Sequence, residues 1–311
     1  MAISINTPLV TIGVLTYNSA ATVVETLESI KAQTYENIEL LISDDASKDD
    51  TLSVCQNWLE KNRDRFVRAE LITTAVNTGT CGNCDRLLAK TLGLWLRLFA
   101  GDDILMPDAI ENFMKFAEEN PEAEWIFSKA KFYNDTFEES NCDKSHECDY
   151  STERYTSFFN STAKEQYCKS IRSNVLTPPA DIVKTSALRR VGGFEAKYGL
   201  NEDIVKDLKL TKAGVRCYFL DEFTMGYRIG TNNVSSNTER LFNMKVIEAS
   251  LVIRKGLCWN DMSWNLKAFF QVRLFTSRIT EALGMNKASN QLCNFIYRLK
   301  IKFYKTVLLL K

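Results

Sequence analysis

An excess of charge of either sign is the first thing this 311-residue chain lacks: 39 Lys and Arg balance 39 Asp and Glu. No whole-molecule field therefore argues for a nucleic-acid partner. Histidine is nearly absent, His146 being the only one. No apolar run approaches the roughly 20 residues that span a bilayer. The opening "MAISINTPLVTIGVLTYN" has neither a basic n-region nor a cleavage site, so no secretory leader is expected. The nine cysteines (Cys55, Cys81, Cys84, Cys142, Cys148, Cys168, Cys217, Cys258 and Cys293) are odd in number and scattered, which does not suit a disulfide framework. A reducing, cytoplasmic setting is the expectation. Internal repeats and low-complexity tracts are missing too.

What is present is ordinary for a globular protein, 45% hydrophobic and 25% charged. The length allows one large α/β domain or two smaller ones around a substantial core. "LVTIGVLT" (residues 9–16) reads as a buried strand, and "AATVVETLESIKAQ" (20–33) has helical spacing in Val23, Val24, Leu27 and Ile30. "NIELLIS" (37–43) is a second strand, and "DDTLSVCQNWLEKN" (49–62) a helix with acids in its first turn. "RAELITT", "NCDRLLAKT", "LWLRLFA", "DAIENFMKFAEEN" and "EWIFSKAKFY" continue the alternation to about Tyr133. That pattern predicts βαβ units and a largely parallel sheet, with ligands bound at the carboxyl ends of its strands.

From about residue 134 to 165 the pattern fails, and a long loop is expected. Order resumes at "LTPPADIVKTSALRRVGGF". "NEDIVKDLKLTKAG" (201–214) predicts a short helix with Asn201 as N-cap and Gly214 just past its end. "VRCYFL" and "FTMGYRI" are two strand candidates, and long helices follow residue 237.

Three acidic pairs stand where chemistry is expected. Asp102-Asp103 ends the apolar run "LGLWLRLFA", Asp44-Asp45 ends the second strand, and Glu202-Asp203 opens a helix. Each pair alone could be a solvated turn or a helix start. Clustered and buried, such carboxylates would repel one another at a cost of several kcal/mol. A divalent cation would relieve that cost, and hard oxygen ligands suit Mg²⁺ or Mn²⁺.

"VTIGVLTYNSAATVVETLESIKAQTYENIELLISDDASKDDT" strongly resembles the N-terminal half of the family-2 glycosyltransferases. The resemblance continues through "NTGTCGNCDRLLAKTLGLWLRLFAGDDILMPDAI", "VGGFEAKYGLNEDIVKDLKLTKAG" and "YRI", covering about residues 8–235 in the right order. It implies an α/β GT-A fold, a Rossmann-like βαβ nucleotide-binding sheet, and inverting transfer of a sugar from a nucleotide-diphosphate donor. By the same resemblance Tyr17 lies against the donor base and Asp45 accepts from its imide N–H. Thr16, Asn18, Asp44, Asn77 and Asp102 complete the nucleotide-binding set. Asp102, with Asp103 beside it, takes the metal-binding position, where Mn²⁺ or Mg²⁺ bridges the diphosphate. Asp203 matches the general base that deprotonates the acceptor hydroxyl, with Glu202 adjacent. The helix N-terminus favours the charged carboxylate there, and Glu202 opposes it.

The chain departs from the family pattern at three positions. Ala100 stands where many relatives begin the DxD motif, and Leu94 replaces a polar residue in "GLW". Gly230 stands where many relatives carry a metal- or diphosphate-binding histidine, a role Asn232 could take over. A non-catalytic binding or scaffold protein retaining the fold is the rival reading.

Other classes fit less well. Cys81-x-x-Cys84, with Cys142, His146 and Cys148, invites zinc or redox chemistry but lacks four evident converging ligands. "NTGTCGN" has no Walker A lysine. A receiver domain is far shorter, and nucleotidyltransferases open with a basic glycine-rich loop that "LTYNSAAT" lacks.

From Ala282 to Lys311 no acid occurs, while Lys287, Arg298, Lys300, Lys302, Lys305 and Lys311 are basic and Phe295, Ile296, Leu299, Ile301, Phe303, Tyr304 and Val307 interleave. Such a segment suits an anionic membrane surface, or a terminal helix with a solvated basic face. The reading is thus a GT-A catalytic domain over 1–235 (nucleotide-sugar half about 1–133, acceptor half about 134–235) and a helical extension over 236–311. Its expected partners are a nucleotide-diphosphate sugar and a saccharide or lipid-linked acceptor in surface-polysaccharide synthesis, with peripheral attachment to the inner face of the cell membrane.

Overall fold

The computed structural model describes residues 7–143, 150–177, 180–229, 240–287 and 289–303. The chain divides into two compact units, residues 1–170 with 174–228, and residues 171–173 with 229–311.

In the first unit β1 (Val10–Thr16), α1 (Val23–Lys31), β2 (Ile38–Asp44), α2 (Thr51–Asn62), β3 (Arg68–Thr73), α3 (Gly79–Lys90) and β4 (Trp95–Ala100) alternate as the periodicity predicts. Next come β5 (Ile104–Leu105), α4 (Ala109–Glu119), β6 (Trp125–Asn134), α5 (Glu153–Phe159) and α6 (Ala163–Arg172). β7 (Asp181–Lys184), α7 (Thr185–Arg190), α8 (Glu202–Lys212) and β8 (Cys217–Ile229) complete it. The strands form one sheet in the order β3-β2-β1-β4-β7-β6-β8-β5. β1 is parallel to both β2 and β4, and β2 to β3. β7 pairs antiparallel with β4 and with β6, so β6 runs the same way as the first four strands. β5 pairs antiparallel with β8.

β2 is buried along its whole length, which is why its centre, Leu40 to Ile42, reads as an apolar run. Val23, Leu27 and Ile30 of α1, spaced for one helical face, pack with Val10, Ile12 and Val14 of β1 and with Phe113 of α4 in one core. Each such side chain contributes about 1.5–3 kcal/mol on burial. The Glu39 carboxylate near the start of β2 is paired: Thr11 Oγ1 donates at 2.5 Å and the Leu92 amide at 2.8 Å, and Arg68 bridges to it. Register places Thr16 beside Asp44 and Leu15 beside Ala100, so the carboxyl ends of β1, β2 and β4 lie side by side.

The expected loop over 134–165 is partly a correction. Within it α5 buries Tyr155, Phe158 and Phe159, and Phe159 stacks on Phe219 at 4.6 Å. Three aromatics outweigh the polar composition around them. The two strand candidates after residue 214 are one 13-residue strand, β8. α2 opens at Thr51, so Asp49 and Asp50 precede the helix; Asp49 accepts from the Thr51 amide at 3.1 Å and from the Ala20 amide at 3.1 Å. Gly214 follows α8 with φ 84°, the left-handed stop its composition suggests. Asn201 occupies the N-cap position with a left-handed backbone, φ 64°, and makes no side-chain cap bond.

The second unit contains α9 (Met244–Leu257), α10 (Trp264–Ala282) and α11 (Gln291–Phe303). Asn243 caps α9 by accepting from the Lys245 amide at 3.0 Å, and Ser263 caps α10. Among the described residues no helix is long and apolar enough to cross a membrane.

Candidate active site

The loops leaving β1 and β2 are tied to each other. Asp44 Oδ1 accepts from Thr16 Oγ1 at 3.0 Å and from Ser47 Oγ at 2.5 Å, and its Oδ2 accepts from the Ser47 amide at 2.9 Å. The Asn18 amide donates to Ser47 Oγ at 2.8 Å, and Asn18 Oδ1 accepts from the Lys48 amide at 2.8 Å. Asn18 and Ala46 both take positive φ, 53° and 63°, a strained backbone of the kind that clusters at binding sites. Tyr17, next to Asn18 in the chain, stays 49% exposed.

Asp45 is buried and serves α3. Its carboxylate accepts from the Thr78 amide at 2.9 Å, Thr78 Oγ1 at 2.7 Å, the Gly79 amide at 2.8 Å and Arg86 Nη2 at 2.7 Å. A carboxylate has about four acceptor sites, so a nucleobase imide approaching Asp45 would have to share or displace one of these donors. Exposed Asn77 also accepts from the Gly79 amide, at 3.0 Å.

Past β4 the chain turns sharply at Gly101, where a Cβ would sit 2.9 Å from Thr16 Cγ2. Thr22 Oγ1 donates to the Gly101 carbonyl at 2.8 Å and Thr26 Oγ1 to the Asp103 carbonyl at 2.7 Å. The two aspartates then part. Asp102 is half-buried, while Asp103 is 2% exposed and accepts the Arg228 amide on Oδ1 at 2.9 Å. Arg228 Nε donates to the Asp102 carbonyl at 2.8 Å, and the guanidinium also bonds the Asp135 carbonyl and Glu25 and lies over the Phe137 ring. Burial, and then the Asp102 charge, push the Asp103 carboxyl well above its ordinary range, with Arg228 and buried Arg97 opposing. Burial also raises Asp102, and Arg228 opposes it.

α8 brings the third pair. Asp203 Oδ2 accepts from Asn174 Nδ2 at 2.7 Å. Burial, then neighbouring Asp203, raise Glu202, and a hydrogen bond with the Thr80 side chain works the other way. One turn further, buried Lys206 places Nζ 2.5 Å from Asp181 Oδ2 and 3.9 Å from Asp207 Oδ1. Trp125 Nε1 also donates to Asp181 Oδ2, at 2.5 Å.

Asp103, Glu202, Asp203 and Lys206 line one cavity of about 60 Å³ with Leu15 and Ala100 at the strand ends. It has room for a few waters, so a sugar nucleotide would lie outside it. The fold thus unites the acids after β4 with those opening α8, and gathers Thr16, Tyr17, Asn18, Asp44, Asp45 and Asn77 at the ends of β1 and β2 and the start of α3. Sequence reasoning missed Asn174, Arg228, Arg86 and the Lys206–Asp181 pair. Arg228 lay within "YRI", Arg86 within "NCDRLLAKT", Lys206 within "NEDIVKDLKLTKAG" and Asp181 within "LTPPADIVKTSALRRVGGF", none of them singled out; Asn174 lay outside every quoted stretch.

Among the described residues no group of three or more His, Cys, Asp or Glu could by itself hold a metal. Asp102 nonetheless suits a hard cation that takes one or two protein carboxylates and completes its shell with substrate phosphates and water. Asp103 faces inward, committed to the Arg228 amide. Gly230, Asn232, His146 and Cys148 lie outside the described residues. Cys81 and Cys84 are buried in α3, where burial raises both thiols.

Residues 11–179, more than half of the chain, match the model of glycosyl transferase family 2. The chain belongs to that family. It is 33% identical over 127 residues to the UDP-Glc:alpha-D-GlcNAc-diphosphoundecaprenol beta-1,3-glucosyltransferase WfaP of Escherichia coli, covering 40% of this chain and 46% of that protein. It is 31% identical over 112 residues to the GalNAc(5)-diNAcBac-PP-undecaprenol beta-1,3-glucosyltransferase of Campylobacter jejuni, covering 36% of this chain and 35% of that one. The chain thus matches less than half the length of these relatives. The mannosyltransferase PcManGT of Pyrobaculum calidifontis, solved with GDP-Man and Mn2+, superposes with a TM-score of 0.59 over 97% of this chain and 83% of that one at 16% identity. That likeness establishes the GT-A fold with C-terminal helices.

Proposed function

We propose that the protein is an inverting enzyme, moving a sugar from a nucleotide-diphosphate donor to a glycan or lipid-linked saccharide in surface-polysaccharide synthesis. The observation that carries this reading is the convergence of Asp103, Glu202 and Asp203 on one cavity at the strand ends, with Asp102 beside it. The undecaprenyl-diphosphate acceptors named for two relatives support a lipid-linked acceptor here, and the Mn2+ and GDP-Man of the solved neighbour support a metal-assisted donor.

In this reading Thr16, Tyr17, Asn18, Asp44, Asp45 and Asn77 form the nucleotide end of the site, with half-exposed Tyr17 offering a ring for the base to lie against. Asp102 would hold Mn²⁺ or Mg²⁺, and Asp103 anchors its turn. Such an ion would supply stabilisation of negative charge on the departing diphosphate. Asp203 takes the proton of the acceptor hydroxyl. The acceptor oxygen bonds the anomeric carbon from the face opposite the leaving group, and the C–O bond to the diphosphate breaks with its electron pair leaving on the nucleotide. Asn174 holds Asp203 Oδ2, which orients the carboxylate toward that task. Glu202, its charge disfavoured by burial, is the weaker candidate for base.

The test is calorimetric titration with a panel of nucleotide-sugars, with and without Mn²⁺, alongside a donor-hydrolysis assay. Metal-linked binding and slow hydrolysis, both lost in Asp102→Asn, are expected. A folded protein showing neither would be a scaffold that retains the fold.

A further inference from the structure

The exposed side of α11 raises a separate question. Lys300 turns inward, its Nζ 3.3 Å from Ser277 Oγ and 3.4 Å from Thr280 Oγ1 of α10, and Tyr297 stacks on Phe242 at 5.9 Å. Cys293 is buried on the same side. These contacts fix which face of α11 is left over. Leu292, Phe295 and Leu299 are 61%, 59% and 50% exposed. At 3.6 residues per turn they fall within roughly 60° of one another, and Arg298 and Lys302, also exposed, continue the arc. α11 contains no acidic residue. Among the described residues Arg273, Arg298 and Lys302 form no ion pair. Burial and then Arg273 push the Lys300 ammonium down to about 8. α10 adds Phe275, Ile279 and Leu283 at helical spacing, 65%, 44% and 66% exposed.

We infer that the exposed face of α11 is a docking surface for an anionic lipid bilayer, with Leu292, Phe295 and Leu299 entering the headgroup boundary and Arg298 and Lys302 meeting lipid phosphates. Charge complementarity selects this occupant. An apolar arc edged only by cations fits a surface that is greasy beneath and negative above. A second copy of the chain would set these unpaired cations against their own kind. The face requires no sugar transfer to act, so it is tested separately from the catalytic reading.

The experiment is flotation of the full chain with vesicles of phosphatidylcholine alone or mixed with phosphatidylglycerol, at low and high salt. Binding to the mixed vesicles that weakens with salt is expected. A basic residue near such a surface is worth about a fivefold factor in partitioning, so Arg298→Ser with Lys302→Ser should lower binding roughly thirtyfold at low salt. Phe295→Ser with Leu299→Ser should lower it at both salts. All four side chains are exposed, and unchanged thermal melting confirms folded variants. Equal behaviour on neutral and mixed vesicles, or no binding to either, overturns the inference. So does a dimer in solution that the Phe295/Leu299 variant dissociates while vesicle binding is absent.

Discussion

Replacing Arg228 by lysine tests whether the turn holding Asp102 is built by that one side chain. Arg228 side-chain hydrogen bonds reach, in different directions, the Asp102 carbonyl, the Asp135 carbonyl and Glu25. A lysine ammonium on a shorter reach can keep one of them. Bonds of charged groups are worth about 1.5–3 kcal/mol each, so about 3 kcal/mol or more of restraint is removed. The Arg228 amide that holds Asp103 is backbone and remains. The loss therefore falls on the Asp102 side of the pair, where the cation is expected. Groups that orient a metal ligand typically set 10–100-fold in affinity or activity. Arg228→Lys should raise the Mn²⁺ concentration for half-maximal donor hydrolysis by about that factor, with activity recovering as Mn²⁺ is increased. Glu25→Gln is the control, because its half-exposed carboxylate touches only the far end of the fork; about a threefold change or less is expected. A folded Arg228→Lys protein whose Mn²⁺ curve overlays the parent's would refute the reasoning.

Asp203→Asn should abolish transfer while nucleotide affinity stays nearly intact, and equal loss of both would move Asp203 to the donor side. Glu202→Gln should be the milder change; a larger effect there exchanges the two roles. Lys206→Met leaves Asp181 buried without its cation and should cost about 3–5 kcal/mol in urea unfolding, and a loss under about 1 kcal/mol counts against the pair. Asp207 is held well above its ordinary value of 3.8 by burial, and its Oδ1 has no hydrogen-bond partner among the described residues. Folding therefore favours its protonated form, a contribution complete below 3.8 and lost as pH rises through the folded value. Asp207→Asn should stabilise the protein at pH 7 by about 1–2 kcal/mol, the gain shrinking in acid; a gain unchanged between pH 7 and pH 4 contradicts the assignment.

The parallel half of the sheet was legible because buried strands leave largely apolar runs, and polar residues stand at or just past the ends of β1, β2 and β4. Asp102, Asp103 and Asp203 could be read for the same reason: carboxylates stand out at the end of a strand or the start of a helix. Their supports could not. Arg228 looks like one more strand cation until the fold sets it against Asp102 and Asp103, more than a hundred residues earlier. Asn174 sits in an irregular stretch that gives no sign it will reach Asp203. β8 was cut in two at Asp221 and Glu222, which are exposed while the strand continues beneath them. Local periodicity cannot distinguish a solvent-facing step in a long strand from a turn. The role of Asp45 in capping α3 was hidden too, since Thr78 and Arg86 become its neighbours only after β3 has paired with β2.

That cap makes the first turn of α3 a joint. Asp45 holds the Thr78 and Gly79 amides, while in the same turn the Cys81 amide bonds the Gly199 carbonyl at 2.9 Å and the Thr80 side chain bonds Glu202. A Cβ at Gly79 would lie 2.7 Å from that same Gly199 carbonyl, so the joint has no slack. In the proposed reading, a nucleobase that draws a donor away from Asp45 would therefore pull on the segment leading into Asp203. Engineering the base pocket for a different nucleotide would then shift the proposed proton acceptor unless the Gly199 joint were redesigned with it.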